Sequence, residues 1–257
     1  MMFRRKLEAI VEGSNIRSSN IDKLLNDALE SYDKEYCLDV GVGHDDGGKY
    51  TTVDIEKDVG ADIVGDIRCC FAASDYYRDM KVEYSDLNKI KPGHFMVVRL
   101  KHMIEHVEWI YLPGLFEWVH SILRGGGLVV IDTPNLDYIT RVYVDQRNRQ
   151  QEKKVLRYPA KEYPGLDTGK PGDLQKWVNF KLYSGCSPGD FHHACLNRTL
   201  LYGLLERVGF ADIGICDGET LRAVAYKVSE DSESLQAIIS RQLGGDERNE
   251  SQFRLWR

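Results

Sequence analysis

Nowhere does the chain hold the run of about 18 apolar residues that a membrane-spanning helix needs, so no membrane partner is expected. The opening Met1-Met2-Phe3-Arg4-Arg5-Lys6-Leu7 is charged, but Glu8, Glu12 and Asn15 break up any apolar stretch after it, and no secretory leader is expected. Cysteine is scarce and scattered. Cys37, Cys69, Cys70, Cys186, Cys195 and Cys216 contain no C-x-x-C pair, which suits neither a disulfide scaffold nor a cysteine zinc site. A reduced, cytoplasmic protein is the expectation, with Cys37 and Cys216 acting as small hydrophobes inside strands. An excess of positive charge is also missing. Lys and Arg number 34 against 40 Asp and Glu, a net charge of −6, which argues against a general polyanion binder while leaving room for a local basic patch, and nucleic acid is not a favoured partner. With 42% hydrophobic and 29% charged residues, collagen-like, coiled-coil and wholly disordered chains are excluded too.

What remains is a globular chain of 257 residues, long enough for one large α/β domain. Ile21, Leu24, Leu25, Ala28, Leu29 and Tyr32 recur at helical spacing, and Ser19-x-x-Asp22 has the form of a capping box at the start of that helix. Strands are expected at 36–40, 51–55, 61–67, 95–100, 128–133, 211–216 and 221–228, mostly as the continuous apolar runs of strands buried on both faces. Helical material is expected over 101–123, closed by Arg124-Gly125-Gly126-Gly127, and again over 199–208, closed by Gly209. This alternation is that of a doubly wound sheet. Residues 136–190 break the rhythm and hold four of the seven prolines. The domain is expected over 1–228, with 136–190 as an insertion after the fifth strand and 229–257 as a polar tail.

Leu38-Asp39-Val40-Gly41-Val42-Gly43 puts glycines where the first strand ends, which lets a ligand approach the backbone closely. A tight turn needing positive φ would look the same. Asp54 ends the second strand and Asp66 follows the third, so three strand ends carry groups suited to a ribose and a base on one edge of the sheet.

These residues resemble the class I S-adenosylmethionine-dependent methyltransferases, especially small ones with a short first crossover. The likeness runs through Leu38 to Gly43, Tyr50-Thr51-Thr52-Val53-Asp54-Ile55 and Ala61-Asp62-Ile63-Val64-Gly65-Asp66-Ile67. It resumes at His102-Met103-Ile104-Glu105-His106-Val107 and at 123–135, and it closes with His193 and Val208-Gly209-Phe210. The resemblance implies a Rossmann-like, mostly parallel seven-stranded sheet with S-adenosyl-L-methionine as cofactor. It implies that Asp39, Gly41 and Gly43 hold the methionine part, Asp54 the ribose hydroxyls, Ile55 one adenine face, and Asp66, with Ile67 beside it, the adenine amino group. Charge-assisted hydrogen bonds, which these carboxylates would make, are about twice as strong as neutral ones. The chain departs from the pattern at His44-Asp45, where a third glycine is usual, and at Met96, where many relatives carry an acid.

His102-Met103-Ile104-Glu105-His106 also fits H-x-x-E-H, in which two histidines share a helix face around zinc. That peptidase pattern requires a further acidic ligand downstream, commonly Glu, and no glutamate occurs from Tyr163 to Leu205. In the methyltransferase reading, His102 or His106 borders the transfer site, and His193 is a second candidate base for the proton of an attacking hydroxyl or amine. Structural hydrogen bonding by Glu105 and His106 is the plain alternative. No metal site is expected.

From Arg141 to Lys181 ten Lys or Arg face five acids, a local +5 in a chain of net −6, which leaves −11 for the rest. Tyr143, Tyr158, Tyr163, Trp177 and Phe180 interleave with these charges. A substrate lid is expected here, over an anionic small-molecule acceptor: a sugar phosphate, a nucleotide-linked glycan or a nucleic acid end. Rival readings are a protein of this fold that binds the cofactor without transfer, and a nicotinamide-dependent oxidoreductase. The latter would want glycine at Asp46 and its ribose acid about 20 residues after the turn, later than Asp54 arrives.

Overall fold

A computed structural model describes residues 16–41, 48–72, 85–151, 178–179, 181–183 and 191–229. Seven strands form one sheet: β1 Cys37–Val40, β2 Thr51–Asp54, β3 Ile63–Val64, β4 Phe95–Lys101, β5 Leu123–Pro134, β6 Phe210–Asp217 and β7 Thr220–Lys227. Their order is β3-β2-β1-β4-β5-β7-β6, with β3 through β5 parallel and β7 antiparallel to both of its neighbours. The α/β, mostly parallel seven-stranded sheet expected from the sequence is present.

Among the described residues, four longer helices flank it: α1 Ser18–Ser31, α2 Leu112–Ile122, α3 Leu136–Gln151 and α4 Arg198–Val208. Alternation along the strands separates two cores. Leu38, Val40, Val98, Leu100, Val129 and Ile131 face α2 and α4. Cys37, Val97, Leu128, Val130 and Val224 face α1, which covers them with Ile21, Leu24, Leu25 and Ala28, four of the residues in its periodic pattern. Each face is sealed by an amphipathic stripe. Helix α4 starts where the Asn197 side chain accepts a hydrogen bond from the Leu200 amide at 2.9 Å, and ends at Gly209 with φ +99°.

Several boundaries differ from expectation. The capping box at Ser19 does not form. Arg17 is the N-cap, without a side-chain cap bond, and Asp22 instead accepts from Arg222 of β7 at 2.6 Å. The strand expected over 61–67 shrinks to Ile63–Val64, an edge strand whose neighbour Asp62 turns to the amide and hydroxyl of Thr52. The glycines 125–127 do not end α2. Leu123 is already extended and buried, paired with Phe95, and the glycines form an irregularity within β5 before Leu128 pairs with Val97. Residues 101–111 contain 3₁₀ turns at Ile104–His106 and Trp109–Tyr111, so the α-helix begins only at Leu112.

The insertion opens as α3, and Ile139 and Val178 form a small buried cluster joined by Tyr138, Val142, Tyr143, Leu182 and Cys195. Residues 152–177, with most of the expected basic lid, lie outside the described residues, as does the tail from 230. Among the described residues, no helix is long and apolar enough to cross a membrane.

Candidate functional site

The carboxyl ends of β1, β2, β3 and β4 converge, because parallel neighbours end on the same edge, and the chain leaves each strand through a short turn. Gly41 follows β1 with φ +76°, its amide donating to the Val53 carbonyl at 2.9 Å. A Cβ there would meet the Met103 side chain at 2.7 Å, so the close approach of these two segments requires glycine. Gly65 after β3 is tied to β2 in the same way, its amide donating to the Asp54 carbonyl at 2.8 Å.

Between these turns lies a cavity of about 390 Å³, within the size range of small-ligand sites. Gly41, Asp54, Ile55, Asp66, Ile67, His102, His106 and His193 all line it. Eight of the ten candidate site residues from the sequence thus meet at one place. Gly43 lies outside the described residues. Asp39 is the exception: it is absent from the lining, 2% exposed, and alternation puts it with Cys37 on the α1 face of the sheet. Arg99, its register partner on β4, donates Nε to Asp39 Oδ1 at 2.9 Å and Nη2 to the other oxygen, beneath the Tyr50 ring 4.3 Å away.

Asp66 is 4% exposed, and Arg68 surrounds it: the Arg68 amide and Nε donate to Oδ1 at 3.0 and 2.9 Å, and Nη2 donates to Oδ2 at 2.8 Å. Arg68 also reaches Glu108 at 3.5 Å. Asp54 accepts the Glu56 amide at 2.9 Å, and Ile55 is 46% exposed, an apolar side chain turned to open space at the cavity.

The histidines divide by environment. His102 and His106 do not share a helix face, since His102 has φ +50° and precedes a single 3₁₀ turn; the zinc-peptidase arrangement is therefore not formed. His102 Nδ1 meets Glu105 Oε1 at 3.1 Å and its Nε2 lies 3.9 Å from Asp132. The hydrogen bond that His102 donates to Glu105 outweighs burial, and His102 is held above its ordinary pKa. His106 Nδ1 lies 3.1 Å from the Phe191 carbonyl, which can only accept, so Nδ1 carries a hydrogen and the neutral ring has its lone pair on Nε2. The His193 imidazole is exposed at the cavity and makes no hydrogen bond among the described residues, while its amide donates to the Glu105 carbonyl at 2.7 Å.

Sequence reasoning passed over Arg68, Met103 and His192, and gave Glu105 a structural hydrogen-bonding role only as the plain alternative. Glu105 is 1% exposed and accepts from Thr133 Oγ1 at 3.1 Å as well as pairing with His102. Arg68 stands two residues after Asp66, a spacing that could have signalled the pair. Nothing in the sequence marks His192 over His193.

No protein-family model and no curated protein match the chain. Among solved structures it is similar to an S-adenosylmethionine-dependent methyltransferase from Archaeoglobus fulgidus, at 15% identity over 80% of this chain and 94% of that one, with a TM-score of 0.42. It is similar at 14% identity to such a methyltransferase from Methanosarcina mazei, over 77% and 95% of the two chains, TM-score 0.40. The phosphoethanolamine N-methyltransferase 2 of Haemonchus contortus, solved with S-adenosyl-L-methionine, is 14% identical over 82% of this chain, TM-score 0.37. This chain spans 42% of that protein's length. Likenesses this distant speak to no activity.

Proposed function

We propose that the protein is an S-adenosylmethionine-dependent methyltransferase acting on an oxygen or nitrogen of an anionic acceptor. One observation carries the reading: Gly41, Asp54, Ile55, Asp66 and Ile67, from three separate strand ends, line a single cavity at the sheet edge where open α/β folds bind ligands. The donor set fits the cofactor. Asp54 offers a carboxylate for paired ribose hydroxyls, Ile55 an apolar face, Asp66 an acceptor for the adenine amino group, and Gly41 a backbone with no side chain in the way. Arg68, 25% exposed, has to give up a bond to Asp66 for an amino donor to reach the same oxygens.

When bound, the cofactor supplies an electrophilic methyl group. The chain's own part is to orient and to accept a proton. His193 suits the latter, because its imidazole lines the cavity without a hydrogen bond among the described residues. His102 is instead engaged by Glu105. The anionic acceptor rests on the segregation of +5 charge into 141–181 of an acidic chain. A nicotinamide-dependent oxidoreductase is disfavoured further by the antiparallel β7 between β5 and β6, which departs from the 3-2-1-4-5-6 order of dinucleotide folds.

Calorimetric titration tests the reading. The protein is expected to bind S-adenosylmethionine and S-adenosylhomocysteine in preference to NAD, and Asp54→Ala should weaken that binding by about 1.5–3 kcal/mol, the worth of hydrogen bonds to a charged group. Unchanged affinity in a folded Asp54→Ala protein removes the ribose assignment. Preference for NAD removes the function.

A further inference from the structure

Next to the cavity, one ring nitrogen each of His106 and His192 and one carboxylate oxygen of Glu105 lie within 4.8 Å of one another. We infer that Glu105, His106 and His192 form a binding site for one divalent first-row transition ion of the zinc class. Two imidazoles and a carboxylate are a ligand set that such ions take, leaving coordination positions for water or a substrate oxygen.

Three features show that the set is built and not incidental. Both imidazoles are fixed in one tautomer by main-chain carbonyls, His106 Nδ1 by Phe191 and His192 Nδ1 by Lys181, each at 3.1 Å. A carbonyl only accepts, so each Nδ1 carries a hydrogen and the neutral ring has its lone pair on Nε2, the arrangement in which a ligand histidine donates its other N–H to a second group. The carboxylate is oriented as well. Glu105 is buried at 1% exposure with His102 at Oε1 and Thr133 at Oε2, and a carboxylate's roughly four lone-pair sites leave room for an ion beside those two partners. Finally, the two segments that bring the ligands are tied together by backbone: the amides of His193 and Ala194 donate to the Glu105 carbonyl at 2.7 and 3.1 Å. The rings of His106 and His192 meet edge to face with centroids 5.0 Å apart.

The site differs from the H-x-x-E-H reading. His102 serves as an anchor for Glu105, and the second imidazole comes from His192, 86 residues after His106. It touches the cavity through His106, which lines it. The inference stands apart from the proposed methyl transfer, since ion binding is measured without cofactor or acceptor.

Untagged protein, stripped of metal by a chelator and dialysed, is titrated with Co²⁺ as the probe, followed by its visible ligand-field absorption, and then with Zn²⁺ in competition. One equivalent of Co²⁺ is expected, displaced by Zn²⁺. His192→Ala should bind at least about tenfold more weakly, no less than the loss of an outer-shell partner costs, and His106→Gln should do the same. His94→Ala, whose ring contacts the Glu35 carbonyl away from the cavity, should bind as the parent does. Circular dichroism establishes that each variant is folded. Absence of saturable Co²⁺ absorption in the parent overturns the site. So does parent-like binding in the folded His192→Ala and His106→Gln proteins, or a loss that tracks His193→Ala instead of His192→Ala.

Discussion

At the scale of single residues, chemistry at the cavity is decided by which polar groups are already engaged. His102 is turned to Glu105 and Asp132, and His106 and His192 each donate a hydrogen bond from Nδ1 to a carbonyl. His193 alone of these four offers an imidazole with no hydrogen bond among the described residues, and it lines the cavity. Replacing His193 with Ala should therefore lower turnover by about 10²- to 10⁴-fold, the usual worth of a positioned base, with cofactor affinity kept. The assay is release of S-adenosylhomocysteine with any acceptor that the parent methylates. Parent-like turnover would leave transfer to alignment alone. That these histidines and acids are present, most of them at strand ends, is legible in the sequence. Their partners are not. Asp66 and Arg68 are near neighbours, but His106 meets Phe191 across 85 positions, and no local pattern encodes such a meeting.

At the scale of elements, the periodic apolar patterns of α1 and α4 are legible, because one face of each buries the expected residues. Ends are less so. The Ser19-x-x-Asp22 pattern predicts a local cap, yet Arg222 on the distant strand β7 competes for groups in the same turn, donating to Ser18 Oγ and to Asp22 Oδ1, which no local motif reveals. Arg222 also lies 3.2 Å from Asp132 of β5, so one guanidinium clasps α1 to the sheet. Its hydrogen bond to Asp22 holds that carboxyl below its ordinary value of 3.8. A depressed folded-state pKa means that the stabilisation is present above 3.8 and is lost as pH falls through the folded value. Asp22→Asn should consequently be less stable than the parent in urea at neutral pH, with the difference narrowing only below pH 3.8. Asp22 is half exposed, so the difference is small, as for other solvent-screened pairs. A gap that does not change with pH would mean that the clasp is not ionic.

At the scale of the whole molecule, the sheet separates two kinds of order. The face toward α2 and α4 carries the larger apolar core, and the cavity opens at its carboxyl edge. The face toward α1 carries the smaller core and, on adjacent strands, the Asp39–Arg99 pair under Tyr50. This layering explains why Asp39 has the look of a cofactor residue in the sequence: it occupies the right strand and the right position, but strand alternation turns its carboxylate to the opposite face from Val40, which does line the cavity. Period-two alternation is legible in a sequence, whereas the face on which the cavity opens is not. A buried carboxylate left without its partner is expensive, about 3–5 kcal/mol, while replacing both members of such a pair is often close to neutral. Arg99→Met should thus cost the protein about that much in urea unfolding, because Asp39, 2% exposed, loses the guanidinium that pairs with it, and adding Asp39→Asn should recover most of the loss. S-adenosylmethionine titration of the double variant separates the two roles for Asp39. Parent-like affinity assigns the residue to the scaffold beneath the site; recovered stability with lost affinity returns it to the cofactor, with the first glycine turn transmitting the effect through Gly41.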